Sequence, residues 1–322
     1  MGLRQSRSRN DREEHMYGKS FIGAVPVHFS QYTLNPHTLN YLQDCPLFSS
    51  NENELESMGY CKAIDYPDIP EHVYYEAYMH SLPTHNTYFS MHSRNGYDFE
   101  KPAAPLRVVS FCEALRQIND DWIKGMIKQL EGMSGAAAEV YCKLLSEGRL
   151  FADLSVQLHF GAEISHERAA FHNDGPNSLL HLALSIHGQR SLLWKGSKDK
   201  DAVMSNLDRK GWFTFSESYN TYEEKQVPGS VYLSSPFLVS HGVSYPICDW
   251  EDRIVAVQCR CLLSTQELSL LRETSEEEWM SVIELVTTAI RNGTSSEQGG
   301  NMFRLPTLDE VESVYSKLCE DW

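Results

Sequence analysis

Leu154-Ser155-Val156-Gln157-Leu158-His159-Phe160 alternates apolar and polar side chains without a break. Successive side chains of a strand point to opposite faces, so this pattern predicts a half-buried strand. The same texture continues downstream. Leu179 to Leu193 (LLHLALSIHGQRSLL) reads as a hairpin turning at Gly188. Trp212 to Phe215, Ser230 to Ser234 behind Pro228-Gly229, and Arg253 to Cys259 add further short strands. Short strands separated by turn signals predict a barrel or sandwich over residues 154–263.

Outside that core the period changes. Phe111, Leu115, Ile118, Trp122, Ile123, Met126, Ile127 and Leu130 recur at helical spacing, and Ala136 to Leu145 resumes the pattern. Two helices joined by a turn at Gly132 and Gly135 are predicted, ending before Gly148. After Ser264 the helical period returns. Ser275-x-x-Glu278 and Thr307-x-x-Glu310 are capping boxes that open two C-terminal helices, separated by a Gly/Ser/Glu linker near 292–301. Residues 1–20 read as a disordered tail, and 21–153 as an N-terminal extension of loops and then helices packed on the core. The C-terminal helical part spans 264–322. The fold class is therefore α+β, a β core flanked by N- and C-terminal helices.

Composition excludes several classes. The 322 residues carry 28 Lys+Arg against 44 Asp+Glu, a net charge of −16. Such a surface repels phosphate backbones and anionic lipid, so nucleic acid is not the favoured partner. No run of 18 apolar residues predicts a transmembrane segment, and no leader is recognised. The eight cysteines form no C-x-x-C pair, and Cys259 and Cys261 read as small strand hydrophobes. These features predict a cytoplasmic or nuclear protein with reduced thiols. Met1-Gly2-Leu3-Arg4-Gln5-Ser6 fits the N-myristoylation pattern, with Arg7, Arg9 and Arg12 behind it. A myristoyl anchor at Gly2 would add weak membrane association; the bland reading is a Ser/Arg-rich tail.

The chemistry-bearing motif is Phe171-His172-Asn173-Asp174-Gly175. A His and an acid two apart at a strand end project the same way and can reach one metal ion. With 13 histidines and 44 acids, roughly two such pairs arise by chance, so the motif alone decides nothing. Its context decides more. Pro228 to Val243 (PGSVYLSSPFLVSHGV) brings His241, and twelve residues later Arg253 opens an apolar strand. Two His and one carboxylate make a facial triad with positions open for oxygen and a cosubstrate. Surface or core packing is the reading preferred for His80, His85, His92, His181 and His187.

The H-x-D, the distal P-G-S-V-x-L…S-H-G-V and the following R-I-V-A-V resemble the Fe(II)/2-oxoglutarate-dependent dioxygenases over about a third of the chain, residues 154–263. The resemblance implies a double-stranded β-helix (jelly-roll) core, Fe(II) as cofactor, and 2-oxoglutarate and O2 as cosubstrates, with ascorbate as an accessory reductant. It implies release of succinate and CO2 with hydroxylation or demethylation of a substrate. His172, Asp174 and His241 would hold the iron, and Arg253 the distal carboxylate of 2-oxoglutarate. Arg260, an odd number of positions away, is the rival for that role. If Arg253 points inward, Val255, Val257 and Cys259 line the pocket and Arg260 faces out. Gln157 and His159 share a face and either contact the cosubstrate or lie on a solvated face. The substrate is unidentified, a protein side chain or small metabolite being favoured over a nucleobase. The competing readings are a nucleobase-modifying oxygenase, a non-catalytic β-helix binding protein, and a cupin-like metalloenzyme without 2-oxoglutarate.

Overall fold

A computed structural model describes residues 29–45, 48, 61–62, 87–92, 105–160, 163, 174–196, 220–237, 240–294 and 302–320. The tail at 1–20 with Gly2, His172, His80, His85, the strand expected at 212–215 and most of the linker near 292–301 lie outside these residues.

The described elements run in chain order. Strand β1 (Phe29–Thr33) is followed by helix α1 (Pro36–Gln43), β2 (Cys61–Lys62) and β3 (Thr87–His92). Helices α2 (Leu106–Ile118), α3 (Asp120–Leu130) and α4 (Ala136–Ser146) precede β4 (Asp153–Phe160). Then come β5 (His181–His187), β6 (Arg190–Gly196), β7 (Asn220–Gln226), β8 (Ser230–Ser234), β9 (Ser240–Ser244) and β10 (Ile254–Arg260). Helices α5 (Thr265–Arg272), α6 (Glu276–Thr294) and α7 (Leu308–Glu320) close the chain.

The fold is mixed α+β with antiparallel sheets. One sheet has seven strands in the order β1-β8-β5-β10-β4-β3-β2, and the other three, β7-β6-β9. Residues directly opposite in a ladder share a face, so the register sorts the side chains. Leu154, Val156 and Leu158 of β4, Val255, Val257 and Cys259 of β10, and Leu182 and Leu184 of β5 fall together on one face. All are buried in one core with Phe111, Leu115, Met126, Leu144, Val282 and Ile283 of the helices. Each such leucine contributes about 2 kcal/mol through the apolar area it removes from water. The opposite face of the seven-stranded sheet meets the smaller one through Ala183, Tyr232, Leu192 and Trp194.

Three sequence expectations are corrected. Gly188 does turn the chain, with φ +66, but β5 and β6 do not pair. The turn is a corner between two sheets, with β5 laddered to β8 and β10 and β6 to β7 and β9. The first predicted helix is two, α2 and α3, broken at Asn119. Its buried amide donates to the carbonyls of Leu115 and Arg304 (2.7 and 2.9 Å) and accepts the Arg304 N–H (2.9 Å). These bonds compete with the helical ladder, and Asn readily makes that exchange. An unexpected helix, α5, starts at a capping box: Ser264 Oγ accepts the Glu267 N–H (3.2 Å) while Glu267 accepts the Ser264 N–H (2.8 Å). The box expected at Thr307 and Glu310 is present, with the Thr307 N–H donating to Glu310 at 2.9 Å.

Candidate functional site

The site lies on the inner face of the seven-stranded sheet and the face of the smaller sheet that meets it. Register assigns Asp153, Ser155, Gln157 and His159 of β4 to the inner face beside Ala256, Gln258 and Arg260 of β10. Ala183 and Ser185 of β5 and Tyr232 of β8 continue it. On the smaller sheet, Arg190, Leu192 and Trp194 share a face, with Gln226 and Glu224 opposite on β7 and His241 and Val243 on β9. The polar half of the alternating strand is thus turned toward a second sheet, and His159 is only 1% exposed. That burial overturns the solvated-face reading for His159, while Gln157 on the same face is half-buried.

Asp174 and His241 converge although 67 residues separate them in sequence. Asp174 follows β4 with its N–H donating to the Pro236 carbonyl (3.1 Å), and its Oδ1 lies 3.7 Å from His241 Nε2. His241 is set opposite Trp194 in the β9–β6 ladder. Both side chains are largely enclosed, 9% and 13% exposed. Two cis donors each about 2.1 Å from a shared first-row ion lie about 3 Å apart, so the 3.7 Å between these atoms is wider than a facial site needs by well under 1 Å. Among the described residues no group of three or more His, Cys, Asp and Glu is set to hold a metal, and that set excludes His172.

Of the two arginines, Arg260 is the one beside Asp174. Its Nη2 is 3.4 Å from Asp174 Oδ2 and it also donates to the Gln258 side chain. Arg253 lies at the other end of β10. Its Nη1 donates to the Trp250 carbonyl (2.8 Å) and its guanidinium stands over the Trp250 ring at 4.9 Å. Burial, and after it the Arg253 charge, lowers the pKa of His187, whose ring packs edge-on to the core residue Phe48. The alternation that separates the two arginines holds, but the inner face is the reverse of the expected one. Val255, Val257 and Cys259 are core, packed under the helices.

The histidines divide at a bulge. Between Ser185 and His187 the ladder with β10 shifts by one residue, so His181 and His187 fall on different faces. His181, 1% exposed, meets Tyr232 edge-on with ring centroids 5.8 Å apart. Burial, then the Arg260 charge, holds its pKa well below the ordinary range, which keeps the imidazole neutral. Burial pushes the Tyr232 phenol up to about 12. His159 stacks on Tyr245 at 4.3 Å, and burial lowers its pKa to about 4.

The sequence reading missed Arg190. It is 2% exposed, and Nη1 donates to Gln157 Oε1 at a long 3.4 Å. The only signal for it was its parity with Leu192 and Trp194 in a strand whose position was read correctly.

No protein-family model and no curated protein matches the chain. No described helix is long and apolar enough to cross a membrane.

Proposed function

We propose that this chain is a non-haem Fe(II)/2-oxoglutarate-dependent dioxygenase, with His172, Asp174 and His241 as the iron ligands. The carrying observation is the approach of Asp174 Oδ1 to His241 Nε2, 3.7 Å apart, at an enclosed and polar inner face. The strand order supports a double-stranded β-helix. From β4 onward the chain moves between the larger and smaller sheets, with β5, β8 and β10 in one and β6, β7 and β9 in the other. That interleaving is how a jelly roll distributes its strands. His172, two residues before Asp174, would approach from the same strand end.

When bound, the ion would activate oxygen and accept 2-oxoglutarate at its open positions. The protein's own contribution is positioning and enclosure. Arg260 faces the second oxygen of Asp174 and orients the first toward His241. Leu192, Trp194, Tyr232 and Ala183 close the space between the sheets to water. Neutral His181 and protonated Tyr232 line it without adding charge. The substrate class favoured is a protein side chain or small metabolite, because the net charge of −16 opposes a polyanion.

The test is anaerobic Fe(II) titration followed by succinate release from 2-oxoglutarate in air. Wild-type protein is expected to bind one Fe(II) and release succinate, and Asp174→Ala to lose both. Wild-type protein that binds no Fe(II) and releases no succinate overturns the reading. Comparing metabolites made with wild-type and His172→Ala protein then narrows the substrate.

A further inference from the structure

We propose that Arg190 is the seat of a small-molecule carboxylate, bound between the two sheets and reaching from β6 to the Asp174–His241 end. Arg190 presents five N–H donors, yet its Nε and Nη2 are buried and meet no hydrogen-bond partner among the described residues. Its one bond there is the long contact with Gln157. A guanidinium taken out of water without a counter-charge is strongly disfavoured, so this position calls for an anion. The inner-face carboxylates among the described residues are engaged elsewhere. Asp153 accepts from Asn177 Nδ2 (3.1 Å), Asp174 faces Arg260, and Glu224 accepts from Gln31.

The surroundings extend the same deficit. Both ring nitrogens of His159 and His181, the Ser185 hydroxyl and both amide atoms of Gln226 are buried without a hydrogen-bond partner among the described residues. Gln226 is the cross-strand neighbour of Arg190, and Gln157 faces it from the other sheet. Buried polar groups are normally satisfied, so a cluster of this kind marks the place of a bound polar molecule. Its length is set by what lies between its ends. His241 is set opposite Trp194, four residues along the same face of β6 from Arg190, so about 13 Å of strand separates the Arg190 backbone from the register of His241. A planar fork suits a carboxylate bidentately, so one carboxylate sits on Arg190 and the other end of the anion reaches the metal ligands. Given the oxygenase reading above, on which only the anion's identity rests, that anion is 2-oxoglutarate. Arg190 then takes the role expected of Arg253 from the resemblance.

Calorimetric titration of the full chain with 2-oxoglutarate and with succinate tests this, metal-free and again with anaerobic Fe(II). Arg190→Met is expected to weaken both anions at least tenfold, Arg190→Lys less, and Arg253→Met less than twofold. Unchanged affinity in Arg190→Met, loss in Arg253→Met, or no binding of either anion to wild-type protein overturns the proposal. Should Arg190→Met not fold, hydrogen exchange of wild-type protein decides. Added 2-oxoglutarate must then slow exchange in β6 and β4, and protection confined to the Trp250–Arg253 turn overturns the proposal. Anion binding through Arg190 without iron-dependent turnover leaves this inference standing and removes the oxygenase. Turnover that survives intact in Arg190→Met does the reverse.

Discussion

Arg260 and Asp174 form a charged contact at the site, and what it does follows from which oxygen it uses. The guanidinium faces Oδ2 at 3.4 Å and leaves Oδ1 to face His241. A carboxylate with one oxygen held by a neighbour offers the other in a fixed direction, and such outer partners typically change metal affinity about 10- to 100-fold. Arg260→Met is therefore expected to weaken Fe(II) binding by about that factor, measured by anaerobic titration with Co(II) as a second probe. Arg253→Met is expected to leave metal affinity unchanged, because that side chain is committed to Trp250. Equal effects of the two substitutions would mean that Arg260 merely shares in general stability. The assignment of faces explains why this arginine was ranked second to Arg253. Alternation told which residues of β10 go together, but both faces of this sheet are covered. The apolar half lies under helices and the polar half against the second sheet. A polar face turned inward has the same pattern as one turned to water, so one strand's sequence does not distinguish them.

At the scale of elements, Gly188 carries the consequence of a corner that sequence rendered as a hairpin. Its φ of +66 favours glycine, and an added Cβ would lie 3.0 Å from Ile254 Cα and 3.1 Å from the Arg253 carbonyl oxygen. Both neighbours are backbone of the adjoining strand and cannot rotate away. Gly188→Ala is expected to cost about 1–3 kcal/mol, read as a lowered Cm in urea. Gly125 is the matched control, mid-helix in α3, where an added Cβ would meet nothing within 4 Å and the φ is ordinary. Gly125→Ala is expected to stabilise by about 0.5–1 kcal/mol. Helices were the more legible elements where a cap or period was local, as with Thr307 and Glu310. They were less legible where the deciding partner is distant, as with Asn119, whose amide is held by Arg304. The positions of β4, β5, β6, β8 and β10 were legible for the same local reason, whereas β1, β2, β3 and β7 went unread, and the sheet each strand joins depends on contacts that no local pattern encodes. Asp174 and His241 were legible as candidates through their motifs, whereas Arg190 was not. The proposal for it rests on burial without a counter-charge among the described residues, a feature that appears only once the chain is folded.

For the whole molecule, the pH dependence of stability separates the inner face from the surface. His159 has its pKa lowered to about 4 by burial, against 6.5 for an unburied histidine. Between those values the unfolded state binds the proton and the folded state does not, so stability rises with pH. The contribution is complete above pH 6.5 and is lost as pH falls from 6.5 toward 4, roughly 3 kcal/mol in all. Glu267 acts in a lower window. Arg149 hydrogen bonds hold its carboxyl at about 2, so its stabilisation is present above the usual carboxylate pKa and is lost as pH drops from there toward 2. General charge runs the other way near neutrality. The net charge of −16 shrinks on acidification, which relieves self-repulsion and stabilises the compact state. A decline in urea midpoint between about pH 7.5 and 5 must therefore come from buried histidine. His159→Phe keeps a flat ring against Tyr245, 4.3 Å away in the native stack, and removes the titration. Its urea midpoint is expected to fall clearly less than that of wild type over this interval, while both proteins lose stability alike below about pH 4. An identical decline in the two proteins above about pH 5 would mean that His159 is hydrated, and the inner face would then not be enclosed.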